Sequence, residues 1–93
     1  MDTYRYKEEP RIYFNNFNRV PEENIFSEAK ERMERAGCRL QDQAGPAADI
    51  VSLCRYLYKG TELSLLLSDD DTVVYCENID ILNEIEGILR KSA

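Results

Sequence analysis

The chain has 93 residues, of which 43% are hydrophobic and 32% are charged, and its net charge at pH 7 is -6. This length fits a single domain, 1–93, with one two-layer core, and the composition is typical of a folded protein. Histidine is absent, which excludes Ser-His-Asp and Cys-His catalysis, and the acidic balance argues against generic binding to phosphate backbones.

The first half of the chain contains one clear helix and weaker strand signals. Residues 1–10 form an arm that either lies along a sheet edge or stays flexible, because aromatic and charged residues alternate there without a core pattern. The run 11–17 predicts a short strand. Apolar residues recur at helical spacing over 21–36, which predicts a helix that begins with Pro21 and ends before Gly37. Weak alternation then predicts a strand over 38–43.

The second half is dominated by a three-stranded antiparallel meander over 49–77. β-branched and aromatic residues alternate with polar ones, and turn residues separate the runs at Lys59-Gly60 and at 68–71. A bulge near Cys54 or Arg55 would reconcile the mixed faces of the first of these strands. Asn78 then caps a helix over about 79–91 that has one apolar stripe.

Together these elements predict an α+β fold, in which an antiparallel sheet of 4–5 strands packs in two layers with both helices on one face. The order helix, three strands, helix is similar to that of double-stranded RNA-binding domains. Those domains present lysines at the start of the second helix, whereas this chain has Glu77, Asn78 and Asp80 there. The similarity is one of topology alone, and we expect no direct contact with nucleic acid.

Acidic residues are concentrated in the last third of the sequence. No Lys or Arg lies between Gly60 and Leu89, and six of the acids there are candidate partner-binding residues: Glu62, Asp69, Asp70, Asp71, Glu77 and Asp80. Three adjacent carboxylates at 69–71 suggest a cation site, but their spacing does not match a calcium loop. A hairpin turn in which aspartates bond their own backbone explains the same residues, so we expect no metal.

Three tyrosines of the meander, Tyr56, Tyr58 and Tyr75, are candidate anchors. They either form an exposed aromatic patch on the open side of the sheet or pack in the core. The three cysteines, Cys38, Cys54 and Cys76, each fall in a predicted strand and are expected to be small apolar residues.

The sequence therefore predicts a small acidic protein-binding module without enzymatic activity or a cofactor. It would act as an inhibitor or regulator, of the immunity or anti-defence type, by occupying a basic surface of a partner protein. The alternative is a structural module that forms a homodimer through its sheet face or an edge strand. No apolar run approaches membrane-spanning length and the N-terminus is too polar for a signal peptide, so we expect a cytoplasmic protein with no membrane partner.

Overall fold

The computed structural model describes residues 1–69 and 71–91, which form six strands and two helices. In chain order these elements are β1 Thr3–Tyr4, β2 Arg11–Phe14, α1 Glu22–Arg35, β3 Arg39–Ala44, β4 Ile50–Tyr58, β5 Thr61–Ser68, β6 Thr72–Tyr75 and α2 Ile79–Arg90. The α+β class and both helices are confirmed, and the helix ends lie within one residue of the predicted positions.

All strands belong to one antiparallel sheet in the order β1-β2-β6-β5-β4-β3. The meander β4-β5-β6 is confirmed. Lys59 and Gly60 close its first hairpin with φ values of 50° and 77°, and two successive positive φ values match the right-handed twist of the flanking strands. The predicted bulge near Cys54 or Arg55 is wrong, because β4 pairs regularly with β5 from Ser52 to Tyr58 and its register shifts between Ile50 and Ser52.

Both helices pack on the same face of the sheet, which we call the helix face. Apolar residues of α1 and α2 meet alternate residues of the strands there, and this single cluster is the core. Its members include Ile12, Phe26, Met33, Tyr56, Leu63, Leu65, Val74, Leu82, Ile85 and Leu89. The opposite side, which we call the open face, carries the other residues of each strand, and neither helix packs against it within the described residues.

The sheet has six strands within the described residues, so the prediction of 4–5 strands is too low. The extra strand is β1, a two-residue segment that pairs Thr3 with Phe14 and Tyr4 with Tyr13. Contacts with α2 hold it in place: the Thr3 hydroxyl donates to Glu86 at 2.9 Å, and Arg90 donates to the Thr3 carbonyl at 2.7 Å. Long-range bonds of this kind leave no local sequence pattern.

Neither helix of the described part has the length and apolar character needed to cross a membrane.

Candidate protein-binding surfaces

The predicted acidic residues separate into two groups at opposite ends of β5. Glu62 is the second residue of β5. Glu77 and Asp80 lie at the same end, where β6 ends and α2 begins. Asp69 and Asp71 lie in the β5–β6 turn at the other end. Asp69 lies seven positions after Glu62 along extended strand, a span of about 23 Å. We call these groups the α2-end acids and the turn acids; Asp70 lies outside the described residues.

These five acids differ from their acidic neighbours because none forms an ion pair with Lys or Arg within the part of the chain that the structure describes. Glu84 and Glu86 come from the same third of the sequence, but Lys59 lies 2.7 Å from Glu84 and Arg5 lies 3.5 Å from Glu86. The Lys59 ammonium accordingly lowers the pKa of Glu84. The charge of the α2-end and turn acids is therefore directed at solvent.

The β5–β6 turn is closed by its own polar groups. The Ser68 amide donates to the Asp71 carbonyl at 2.9 Å, and the Ser68 hydroxyl donates to the Asp71 carboxylate at 2.9 Å. These bonds are those of a structural turn. Among the described residues, no three His, Cys, Asp or Glu side chains are arranged to hold a metal ion.

The three predicted tyrosines do not share one surface. Tyr56 is fully buried on the helix face, where its hydroxyl donates to Glu34 at 2.6 Å. Tyr58, two residues further along β4, lies on the same side and reaches Glu84 at 3.4 Å. Tyr75 lies on the open face opposite Ser64. Of the two alternatives, the exposed patch of three tyrosines is wrong, because Tyr56 and Tyr58 lie on the side of the sheet that the helices cover, and Tyr56 packs in the core.

A shallow groove at the α2 end brings part of the predicted set together. Its volume is about 580 Å³, and its lining includes Asp42, Arg55, Glu62, Ser64, Tyr75 and Glu77. The Tyr75 hydroxyl donates to Glu77 at 2.9 Å, and the Arg11 guanidinium lies 5.4 Å from the centre of the Tyr75 ring. The Tyr75 ring is thus already in contact with a cation of the same chain, while Glu62 and Glu77 add two carboxylates to the groove lining.

A second aromatic cluster, not predicted from the sequence, lies on the open face near the N-terminus. The Tyr13 ring stacks on Tyr4 at 5.3 Å between centroids, and the Tyr6 ring meets Tyr13 edge-on at 5.2 Å. The alternation of Tyr4 and Tyr6 was the available signal, but its partner Tyr13 is identified only by the pairing of β1 with β2.

The cysteines offer no reactive group. All three are buried as free thiols, in agreement with their expected role as small apolar residues. Burial raises the pKa of the Cys38 thiol to about 11 and also raises the pKa of Cys76. Thiolate, the nucleophilic form, is therefore scarce at these positions near neutral pH.

Comparison of the chain with protein-family models, with curated proteins and with solved structures finds no match. Functional inference therefore depends on the surfaces described above.

Proposed function

We propose that this chain is a small acidic protein-binding module that inhibits or regulates a partner by occupying a basic surface. The observation that carries the proposal is the set of five outward acids without cationic partners, Glu62, Asp69, Asp71, Glu77 and Asp80. Within the described residues, Glu84 and Glu86 from the same third of the sequence are instead neutralised locally by Lys59 and Arg5. Carboxylates left without local partners raise the field that a basic surface meets on approach.

The groove at the α2 end is the proposed centre of contact. Glu62 and Glu77 supply charge there, and Tyr75 supplies an aromatic surface beside them. Tyr56 is fully buried and therefore has no part in the proposed contact, while Tyr58 is half-buried beside Glu84. The proposed anchor is thus Tyr75, with the turn acids as a second, more distant charged group.

The partner class follows from charge. A basic groove that accommodates nucleic acid would also attract a compact protein of net charge -6. Nucleic acid and this chain would then compete for the same groove. We therefore propose as partner a nucleic-acid-binding enzyme, toxin or defence protein. Steering of this kind acts mainly on the association rate and weakens as salt rises.

Three double variants with the same net charge test the proposal. Glu62→Gln with Glu77→Gln removes the α2-end charge, and Asp69→Asn with Asp71→Asn removes the turn charge. The control is Glu28→Gln with Glu31→Gln on α1, two acids that Arg32 and Arg35 already neutralise. Each pair changes the net charge from -6 to -4, so a non-specific charge effect would be equal in all three.

The measurement is capture of a partner from native lysate on the parent chain and on each variant, at low and moderate salt, followed by association kinetics with the captured protein. We expect a stoichiometric basic protein whose association slows about 3- to 10-fold with one of the first two variants and is unchanged with the control. Equal loss with all three variants, or retention of no protein by the parent chain, would contradict the proposal.

A further inference from the structure

The open face carries a row of side chains that crosses the entire sheet, with one residue from each strand. The strand register places these residues directly opposite one another, in the order Tyr4, Tyr13, Val73, Leu66, Leu53 and Ala44. We call this set the apolar row. Tyr4, Tyr13, Leu66 and Leu53 are exposed or half-buried, whereas Val73 between them is buried, and Tyr6 packs over one end of the row.

Over the strands β1, β2 and β6, acids lie on one side of the apolar row, and the other side carries Arg11, whose guanidinium lies 3.9 Å from Glu9. On the side toward the α2 end, the next open-face residue of β2 is Arg11. On the other side, the next open-face positions belong to Asp2, which precedes β1, and to Asp71, which precedes β6. The Asp2 carboxylate accepts a bond from Asn15 at 3.2 Å, which fixes it beside the start of the row.

From this pattern we infer that a second copy of the chain docks on the open face, with the two-fold axis along the apolar row. In that arrangement the row packs on its counterpart, as sheets do in face-to-face packing. The two-fold operation also exchanges the two sides of the row. Arg11 of each copy is then placed over Asn15 of the second copy, between Asp2 and Asp71.

The other two-fold arrangement that stacks the rows has its axis along the strands, and charge disfavours it. That operation exchanges β2 with β4, because these strands are equally far from the centre of the six-stranded order. Arg11 would then lie over Arg55, which occupies the equivalent position beside the row on β4. Like charges opposed at an interface cost affinity.

The size of the face matches what a stable dimer needs. A specific interface buries about 800 Å² on each partner; six strands about 4.8 Å apart span about 24 Å, and the longest strand of the face, β4, has nine residues. A second copy reaches that area only by covering most of the face. Pairing through an edge strand gives much less, and β3 resists it with a register shift between Leu40 and Asp42 and the charges of Arg39 and Asp42.

The dimer and the proposed complex with a basic partner differ in how their stability depends on salt. Both copies carry a net charge of -6, and the α2-end acids approach the turn acids of the second copy at the rim. Screening of this repulsion strengthens the dimer as salt rises, whereas it weakens binding of a basic protein. The dimer would cover Tyr75, so the two complexes compete for the open face, and their opposite responses to salt tell them apart.

The test is the mass of the purified chain in solution, by sedimentation velocity up to about 0.5 mM, a concentration that detects even a weak dimer. We expect reversible association to twice the monomer mass of 10.8 kDa, unchanged or stronger when salt rises from about 20 to 150 mM. A monomer at every concentration and both salt levels would overturn the proposal.

Variants then locate the interface. Leu66→Lys places a charge in the middle of the row and should abolish the dimer, while circular dichroism checks that the fold persists. Arg11→Asp should raise the dimer Kd at least about 10-fold. Arg35→Asp on α1 is the control with the same charge change and should have no such effect.

The double variant Arg11→Asp with Asp71→Arg should recover most of the lost affinity. A dimer that survives Leu66→Lys, or a charge swap no tighter than Arg11→Asp alone, would exclude this arrangement.

Discussion

Alternate residues of the same strands build the two faces of the sheet, and the faces differ in what covers them. On β5, Leu63, Leu65 and Leu67 face the helices with exposures of 2%, 0% and 5%, whereas Leu66 between them faces the open side and stays half-buried. Apolar side chains on the helix face therefore stabilise the fold. Apolar side chains on the open face contribute less to stability, and we propose that they form an interface, so that stability and recognition would depend on different residues of one strand.

The largest expected effect comes from two adjacent leucines of β5. Leu65→Ala removes a fully buried side chain from the core and should lower the free energy of unfolding by about 2.5 to 5 kcal/mol. Leu66→Ala on the open face should cost less than about 1.5 kcal/mol, because its side chain is already partly hydrated. Urea unfolding at low protein concentration measures both, and equal losses would show that the open face is as well packed as the helix face.

A pair of tyrosines gives the next comparison. Tyr56→Phe removes the 2.6 Å bond from a buried hydroxyl to Glu34 and should cost about 1 to 2 kcal/mol of unfolding free energy. Tyr75→Phe removes a bond of 2.9 Å to Glu77 on the open face, where water replaces it, and should leave the urea midpoint unchanged. A larger loss for Tyr75→Phe would reverse the assigned roles of the two faces.

The same network makes stability depend on pH. Hydrogen bonds from Lys30 and Tyr56 hold the pKa of Glu34 below its ordinary value of 4.5. Because the folded-state pKa is the lower one, this stabilisation is complete above 4.5 and is lost as the pH falls through the folded-state value. The stability difference between the parent chain and Tyr56→Phe should therefore shrink in unfolding measurements below pH 4.5. A difference that is constant across this range would mean that Glu34 does not titrate with the bond.

The smallest effect is expected at an ion pair on the open face. Arg55 lies 3.5 Å from Asp42, and both side chains are more than half exposed. Arg55→Met should change the free energy of unfolding by less than about 0.5 kcal/mol. Thermal unfolding at two salt concentrations checks this, and a salt-dependent loss above that limit would reveal a structural role for the pair.

The sequence was sufficient to predict those elements whose pattern is local. Alternation in β5 and the apolar stripe of α2 predicted both elements, and Asn78 caps α2 as expected by accepting a bond from the Ile81 amide at 3.2 Å. For residues 1–10 the sequence left two alternatives open, and β1 matches the one along a sheet edge; its partners, Phe14 and Tyr13, are set by tertiary pairing and could not be predicted.

Prediction of the candidate surface was less complete for a similar reason. The acids cluster in sequence, but Glu62 lies near the start of the eight-residue strand β5 and Asp69 follows its end, so the strand holds them apart in space. Alternation along β4 shows that Tyr56 and Tyr58 share a face without telling which face the helices cover. Lys59 lies just before the acidic third of the sequence, and only the position of α2 brings it to Glu84.

The order of the strands in the sheet also determines which strands can pair early during folding. Strand β2 pairs with β6, its neighbour in the sheet but not in sequence, since Arg11 lies opposite Tyr75. Strands β3, β4 and β5 are joined by short connections and pair at little entropic cost, whereas β2 must wait for a long loop to close. During synthesis β1 and β2 can pair with each other but cannot join the other strands until β6 has been made. We expect pulse-labelled hydrogen exchange during refolding to show that the Leu65 amide becomes protected before the Ile12 amide. The reverse order would contradict this order of strand pairing.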